Sequence, residues 1–196
     1  GGDTYERSTW TGGNTLVFVT EKGVVLVDTM LPTAGRSILA QIKSVTDKPV
    51  TTIINTHTHF DHTGSNTEFA STVEFVAHEN TRANLAKPTC PPVTNCDAFK
   101  GENAKYLPKR TYKDRLTLFS GKDQVDLYYF GRGHTNGDTF VVFPAARAMH
   151  GGDMFPRASL PSVDVAANGG SAVEFSQTLQ KAVSTIKNVD IVVGGH

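Results

Sequence analysis

The nine residues Thr56-His57-Thr58-His59-Phe60-Asp61-His62-Thr63-Gly64 constrain this chain more than any other stretch. Three of its seven histidines and an aspartate fall within six consecutive positions. The preceding Val50-Thr51-Thr52-Ile53-Ile54-Asn55 is β-branched and apolar, the pattern of a buried parallel strand. After it, Gly64 and a polar run are suited to opening a helix. The four side chains therefore sit on a loop leaving the carboxyl end of a strand, where open α/β sheets place their ligand sites. Imidazole nitrogens and a carboxylate oxygen suit zinc or a similar first-row divalent ion. His57 and His59, two apart, can face one ion, while Asp61 and His62 beyond the bend can turn toward a second. A merely solvated polar loop gives no reason for histidines to gather here.

The remaining properties bound the answer. A chain of 196 residues is long enough to bury roughly 70% of its unfolded surface, and residues 1–196 read as one domain. Lys+Arg and Asp+Glu both number 19, and no basic run occurs, which argues against a nucleic-acid substrate. No apolar stretch approaches membrane-spanning length, so the expected partner is a small-molecule substrate, with the oligomeric state left open. The chain opens on Gly1-Gly2-Asp3 without an initiator Met or an export signal. Cys90 and Cys96 have the wrong spacing for a C-x-x-C pair. They read equally as a small disulfide-closed loop in an exported protein or as two free thiols in a cytoplasmic one.

Along the chain, Thr15–Thr20 and Val24–Asp28 read as a hairpin around Glu21-Lys22-Gly23. Asp28, at the end of the second strand, either orients a ligand histidine or caps a turn. Ile38, Leu39, Ile42 and Val45 follow helical spacing between Pro32 and Pro49. Val73–Ala77 is a strand, and Glu79–Ala86 a helix opened by His78, which reads as structural or as part of the site's rim. Residues 87–115 are weakly patterned, an excursion suited to covering the site. Strand signals resume at Leu116–Phe119, Val125–Phe130, Thr139–Phe143 and Ala146–His150. Ser171 and Glu174 then form a capping box for a helix whose apolar face is Ala172, Phe175, Leu179, Ala182, Val183 and Ile186. Ile191-Val192-Val193 reads as a buried strand. This order fits two packed mixed sheets with helices outside better than a single doubly wound sheet.

If the histidine loop binds metal, other strand ends should contribute ligands. His134 lies on the glycine-flanked turn Gly131-Arg132-Gly133-His134-Thr135, Asp153 follows Gly151-Gly152, and His196 follows Gly194-Gly195. Taken together with the first loop, these junctions carry His-x-His-x-Asp-His, then His, then Asp, then His. The chain thereby resembles the metallo-β-lactamase-fold hydrolases, which share His-x-His-x-Asp-His (here His57–His62) and Gly-His-Thr (here Gly133–Thr135). The resemblance implies a four-layered αββα sandwich of two mixed β-sheets with flanking helices. It implies one metal on His57, His59 and His134 and a second on Asp61, His62 and His196, with Asp153 and a water or hydroxide bridging them. Two Zn2+ ions are expected, with Fe or Mn as the other metals of such sites, and Asp61 is also assigned a catalytic role. Relatives usually continue past the last histidine into a terminal helix, so a missing C-terminal segment is expected as well.

Two such ions, about 3.5–4 Å apart, lower the pKa of a shared water toward roughly 7 and supply a nucleophile without serine or cysteine. No G-x-S-x-G elbow is present to offer an alternative. The resemblance to members with a bridging aspartate leans toward esters, lactones or thioesters, since β-lactamases proper usually carry Cys or Ser at that position. The competing readings are a β-lactamase, a mononuclear iron oxygenase acting on thiols or persulfides, and a non-catalytic metal-stabilised binding domain. Trp10, Phe60, Phe155 and residues 87–115 are the rim candidates, with Arg132 or Arg157 to hold a substrate carboxylate. His150, close to Asp153, reads as a core or supporting residue rather than a ligand.

Overall fold

The computed structural model describes residues 12–157 and 161–196, so Trp10 lies outside the described residues. Among the described residues, ten strands form two five-stranded sheets. The first runs β1 (Leu16–Val19), β2 (Val24–Val27), β3 (Val50–Ile54), β4 (Glu74–His78) and β5 (Arg110–Tyr112) in spatial order. β1 and β2 are the expected antiparallel hairpin, and β2 through β5 pair in parallel. The second sheet runs β10 (Ile191–Val193), β9 (Ala148–His150), β8 (Phe140–Phe143), β7 (Val125–Tyr128) and β6 (Arg115–Leu118). Only β10 pairs in parallel there, so both sheets are mixed.

The period-2 alternation of side chains divides the core into layers. Val25 and Val27 of β2, with Ile54 and Val76, face Leu118, Val125, Leu127, Val141 and Phe143 of the opposite sheet. Val24 and Leu26, with Ile53 and Phe75, face outward onto Ile38 and Ile42 of helix α1 (Gly35–Val45). Because β2 is covered on both faces, all four of its residues are apolar and buried. Beyond the second sheet, Phe140, Met154 and Ala182 pack with Phe175, Leu179 and Ile186 around helix α5 (Ala172–Thr185). The result is the expected helix–sheet–sheet–helix sandwich.

Several local expectations shift. In α1, Leu39 and Val45 are 42% and 69% exposed, and the buried pair Ile38 and Ile42 anchors the helix, each side chain stabilising by about 1.5–3 kcal/mol. In α5 the capping box holds, with Ser171 Oγ accepting from Glu174 N at 3.2 Å. Ala172 and Val183 fall at the edge of the stripe and are exposed. Buried Thr178 sits on the stripe instead and donates its hydroxyl to Arg132 O at 2.8 Å. β10 is an edge strand whose Ile191 and Val192 are 57% and 52% exposed, not a buried one. The anticipated helix after Gly64 forms earlier, as the single turn α2 (Phe60–Thr63), followed by a tighter 3-10 turn at Asn66–Glu68. The excursion 87–115 contains β5, which the weak patterning concealed.

Candidate metal centre

Every candidate ligand stands just past the carboxyl end of a strand. His57 follows β3, His59 precedes α2, and Asp61 and His62 lie on α2. His134 follows β7, Asp153 lies on the 3-10 turn Gly152–Met154 after β9, and His196 follows β10. The fold brings all seven together. Ligand atoms of His57, His59 and His134 lie within 4.8 Å of one another, as do those of His57, His62 and Asp153, and those of Asp61, His62 and His196.

The distances are those of donors surrounding an ion. His59 Nδ1 is 3.0 Å from His134 Nε2. His62 Nε2 is 3.8 Å from Asp61 Oδ2, and His196 Nε2 is 3.4 Å from the same oxygen. Asp153 reaches both groups, with Oδ2 at 3.5 Å from His134 Nε2 and 3.5 Å from His196 Nε2, and Oδ1 at 3.3 Å from His62 Nε2. Tetrahedral ligands about 2.0–2.2 Å from a zinc ion stand roughly 3.4 Å apart, so these spacings accommodate such a metal.

Hydrogen bonding supplies the sharper test. His57 Nε2, His62 Nε2 and Asp153 Oδ1 are buried without a hydrogen-bond partner, which is costly unless something else satisfies them. The other ring nitrogen is held in each of the four inner histidines. Thr56 Oγ1 lies 3.0 Å from His57 Nδ1, and Asp28 Oδ2 lies 2.7 Å from His62 Nδ1. Asp164 Oδ2 lies 2.9 Å from His59 Nε2, and Ser162 O lies 2.8 Å from His134 Nδ1. This is how metal-binding histidines are oriented: one nitrogen tethered, the other turned to the centre. The donor set fits a divalent metal.

Electrostatics agrees. Burial, then the neighbouring His62, holds His57 well below the ordinary histidine value, and burial lowers His134, so both favour the neutral form a ligand needs. Burial also opposes charge on His62, but the Asp28 carboxylate and Asp153 outweigh it and raise its pKa well above that value. Burial would raise Asp153, yet His196 and His62 hold it well below the carboxylate range and keep it ionised.

The backbone is fitted to this cluster. A Cβ on Gly195 would stand 1.8 Å from Asp153 Oδ1, and one on Gly13 would stand 2.3 Å from the His62 ring, so neither position admits a side chain without displacement. Beneath the loop, Asn66 Nδ2 donates to Asn55 Oδ1 at 2.7 Å and Thr29 Oγ1 donates to Asn66 Oδ1 at 2.8 Å, forming a buried polar floor. Asp28 has φ 62° and accepts from Thr56 N at 2.8 Å and from Thr56 Oγ1 at 2.6 Å while its Oδ2 lies 2.7 Å from His62 Nδ1, so it orients a candidate ligand and is more than a turn cap.

Other candidates separate clearly. His78 is structural, capping helix α3 (Glu79–Leu85) and stacking on Tyr129 at 3.9 Å. His150 accepts from Gly152 N at 3.1 Å and so steadies the turn that carries Asp153. A cleft of about 390 Å3 opens on the cluster and is lined besides by Phe60, Val93, Ser162, Val163 and Asp164. Of the 87–115 excursion, Val93 is the residue that lines the cleft. Phe155 packs inward with the α5 cluster. Arg132 pairs with Glu174, its Nε donating to Oε1 at 3.0 Å, and among the described residues no Lys or Arg lines the cleft. Cys90 and Cys96 form a disulfide.

Sequence reasoning missed Asp164 and Asp138. Asp164 shows its capping character in Asp164-Val165-Ala166-Ala167, ahead of α4 (Val165–Asn168), but nothing in the sequence aims it at His59. Asp138 lies four residues after His134 and is buried. It accepts from Thr135 N at 2.9 Å and Thr135 Oγ1 at 2.6 Å, bracing the turn that carries His134, and burial pushes its carboxyl up to about 7.

Two mixed sheets between helices, with a histidine–aspartate nest at their strand ends, define the αββα metallohydrolase class. The family model described as the metallo-beta-lactamase superfamily matches residues 8–196, and the chain belongs to that superfamily, whose members are mostly hydrolases. It is 28% identical over 185 residues to a metallo-beta-lactamase type 2 of Elizabethkingia meningoseptica, covering 93% of this chain and 68% of the relative. It is 31% identical over 143 residues to the 2,4-dinitroanisole O-demethylase subunit alpha of a Nocardioides species, covering 71% of this chain but only 40% of that protein. Among solved structures, a metallo-beta-lactamase from Pontibacter korlensis superposes with a TM-score of 0.72 at 23% identity, covering 93% of this chain and 78% of that one. The DIM-1 metallo-beta-lactamase superposes with a TM-score of 0.70 at 25% identity, covering 94% and 78%.

Proposed function

We propose that this protein is a dinuclear zinc hydrolase that cleaves carboxylic esters, lactones or thioesters. The observation that carries the reading is the position of Asp153, which approaches His134 of one ligand group and His62 and His196 of the other while its Oδ1 has no hydrogen-bond partner. When bound, two divalent ions acidify a shared water and polarise a carbonyl. His57, His59 and His134 would hold the first ion, and Asp61, His62 and His196 the second. Asp153, ionised and within 3.5 Å of histidines of both groups, would be shared between them. Asp61 is half-buried beside His196 and faces the cleft, where its carboxylate can orient the attacking water and hold a proton as the leaving group departs.

The walls favour an uncharged acyl group. Phe60 and Val93, 40% and 45% exposed at the cleft, offer apolar surface, and the described lining supplies no cation for a substrate carboxylate. The second reading, a β-lactamase, draws on the names of the relatives, and the O-demethylase adds an aryl methyl ether to the substrates worth testing. Elemental analysis of the purified protein, followed by turnover of a p-nitrophenyl ester, a lactone, a thioester, nitrocefin and an aryl methyl ether, tests the proposal. Two zinc ions per chain with ester, lactone or thioester cleavage outpacing nitrocefin is the expected result. Faster nitrocefin turnover establishes the second reading instead, and a single iron per chain with oxygen uptake defeats both.

A further inference from the structure

The Cys90–Cys96 loop makes more contacts than a passive wall requires. Its tip is strained: Val93 is β-branched yet has φ 61°, a conformation that persists only where the surroundings enforce it. The loop lies along the histidine segment, where Phe60 N donates to Val93 O at 3.0 Å and Asn95 Nδ2 donates to Thr63 O at 3.1 Å. Thr94, between them, bridges across to His59 in antiparallel fashion.

From Thr94 a chain of buried polar groups leads back to His59. Asp164 can only accept, so the Asn168 amide must turn Nδ2 toward it, and Asn168 Nδ2 donates to Asp164 Oδ2 at 2.6 Å. That orientation points Asn168 Oδ1 at Thr94, whose Oγ1 donates to it at 3.0 Å. Asp164 Oδ2 in turn faces His59 Nε2 at 2.9 Å, which leaves Nδ1 as the nitrogen aimed at the cluster. Asn168 and Thr94 are 1% and 8% exposed, so water does not readily replace a lost partner.

We propose that the disulfide-closed loop is a positioning device for the first metal site. Thr94 and Asn168 hold Asp164 against His59 and so fix the tautomer and ring angle of that ligand, and the Cys90–Cys96 bond keeps Thr94 in reach. The inference rests on the metal-binding reading of the cluster and assigns Thr94, Asn168 and the disulfide to positioning, without contact to substrate. Without the Thr94 hydroxyl, Asn168 Oδ1 is left buried and unsatisfied, so the Asn168 amide shifts to regain a partner and draws the Asp164 carboxylate it holds away from His59.

The test compares wild type, Thr94→Val, Thr94→Ser and a Cys90→Ala/Cys96→Ala double variant. Two measurements are made on each: the His59 ring 15N spectrum of the metal-free protein, and Co2+ affinity by titration. Thermal unfolding is followed in parallel to identify any variant that does not fold. Wild type and Thr94→Ser should show a single His59 tautomer with Nε2 protonated. Thr94→Val and the double variant should show mixed tautomers and weaker Co2+ binding, by about tenfold, the lower end of what loss of an outer hydrogen-bond partner costs a metal site. A folded Thr94→Val protein with an unmixed His59 tautomer and Co2+ affinity within about twofold of wild type overturns the proposal. If wild type binds no Co2+, the metal reading fails, while the His59 spectrum still decides whether the loop fixes the ring.

Discussion

Replacing Asp28 by Asn isolates the role of a single buried charge that serves both ligand groups. Asn tolerates the left-handed conformation at φ 62°, so the backbone is preserved and only the carboxylate is lost. In the native protein Oδ1 accepts from Thr56 N at 2.8 Å, and Oδ2 accepts from Thr56 Oγ1 at 2.6 Å and faces His62 Nδ1 at 2.7 Å. Thr56 N must keep an oxygen acceptor, so in the variant the new amide NH2 replaces Oδ2 and confronts both Thr56 Oγ1 and His62 Nδ1. His62 Nδ1 then has to accept, and the ring proton moves to Nε2, the nitrogen that faces Asp153 and Asp61. The disturbance also reaches His57, whose Nδ1 is held by the same Thr56 hydroxyl at 3.0 Å.

Losing an orienting partner of this kind weakens a metal site by roughly 10–100-fold, or about 1.4–2.8 kcal/mol. In the metal-free protein the variant also breaks a buried ion pair and should cost about 3 kcal/mol, the low end for such a loss because Thr56 N keeps its acceptor. Zinc affinity measured by competition with a chromophoric chelator, together with urea denaturation of chelator-treated protein, reads both quantities. Affinity within about threefold of wild type at both sites would refute the tautomer argument.

His134→Ala should abolish hydrolysis and lower the metal content found by elemental analysis, and near-wild-type turnover by the metal-depleted variant would contradict the mechanism. Gly195→Ala places a Cβ 1.8 Å from Asp153 Oδ1 and forces that carboxylate aside, which should lower kcat by about 100-fold while far-ultraviolet circular dichroism stays unchanged. For the metal-free protein, His57, His134 and His150 have depressed pKa values, so their stabilisation is present above the ordinary value of 6.5 and lost as pH falls. His62, raised well above 6.5, contributes in the opposite sense: its stabilisation is complete below that value and is lost as pH rises through the raised pKa. Asp138, pushed up to about 7, loses stability as pH rises toward that value and is level beyond it. Urea denaturation with chelator from about pH 7 to 9 should therefore show a decline that Asp28→Asn flattens, and equal slopes in the two proteins would count against the Asp28–His62 pair.

Much of this protein was written in its local sequence. The β-branched run before His57, the glycines beside His134, Asp153 and His196, and the Ser171–Glu174 capping box each depend on residues a few positions apart, so pattern alone located them. Ile38 and Ile42 were found the same way, though their neighbours Leu39 and Val45 were not separable from them, because burial is decided by what the opposite layer covers. Tertiary structure alone decided that Asp28 and Asp164, 34 and 105 residues from the histidines they touch, act as orienting groups. It also decided that the 90–96 loop lies against the histidine-bearing turn and that β5 emerges from an unpatterned stretch. Hydrogen-bond partners distant in sequence leave no periodic trace along the chain. They exist only once two sheets have packed and brought their strand ends to one side.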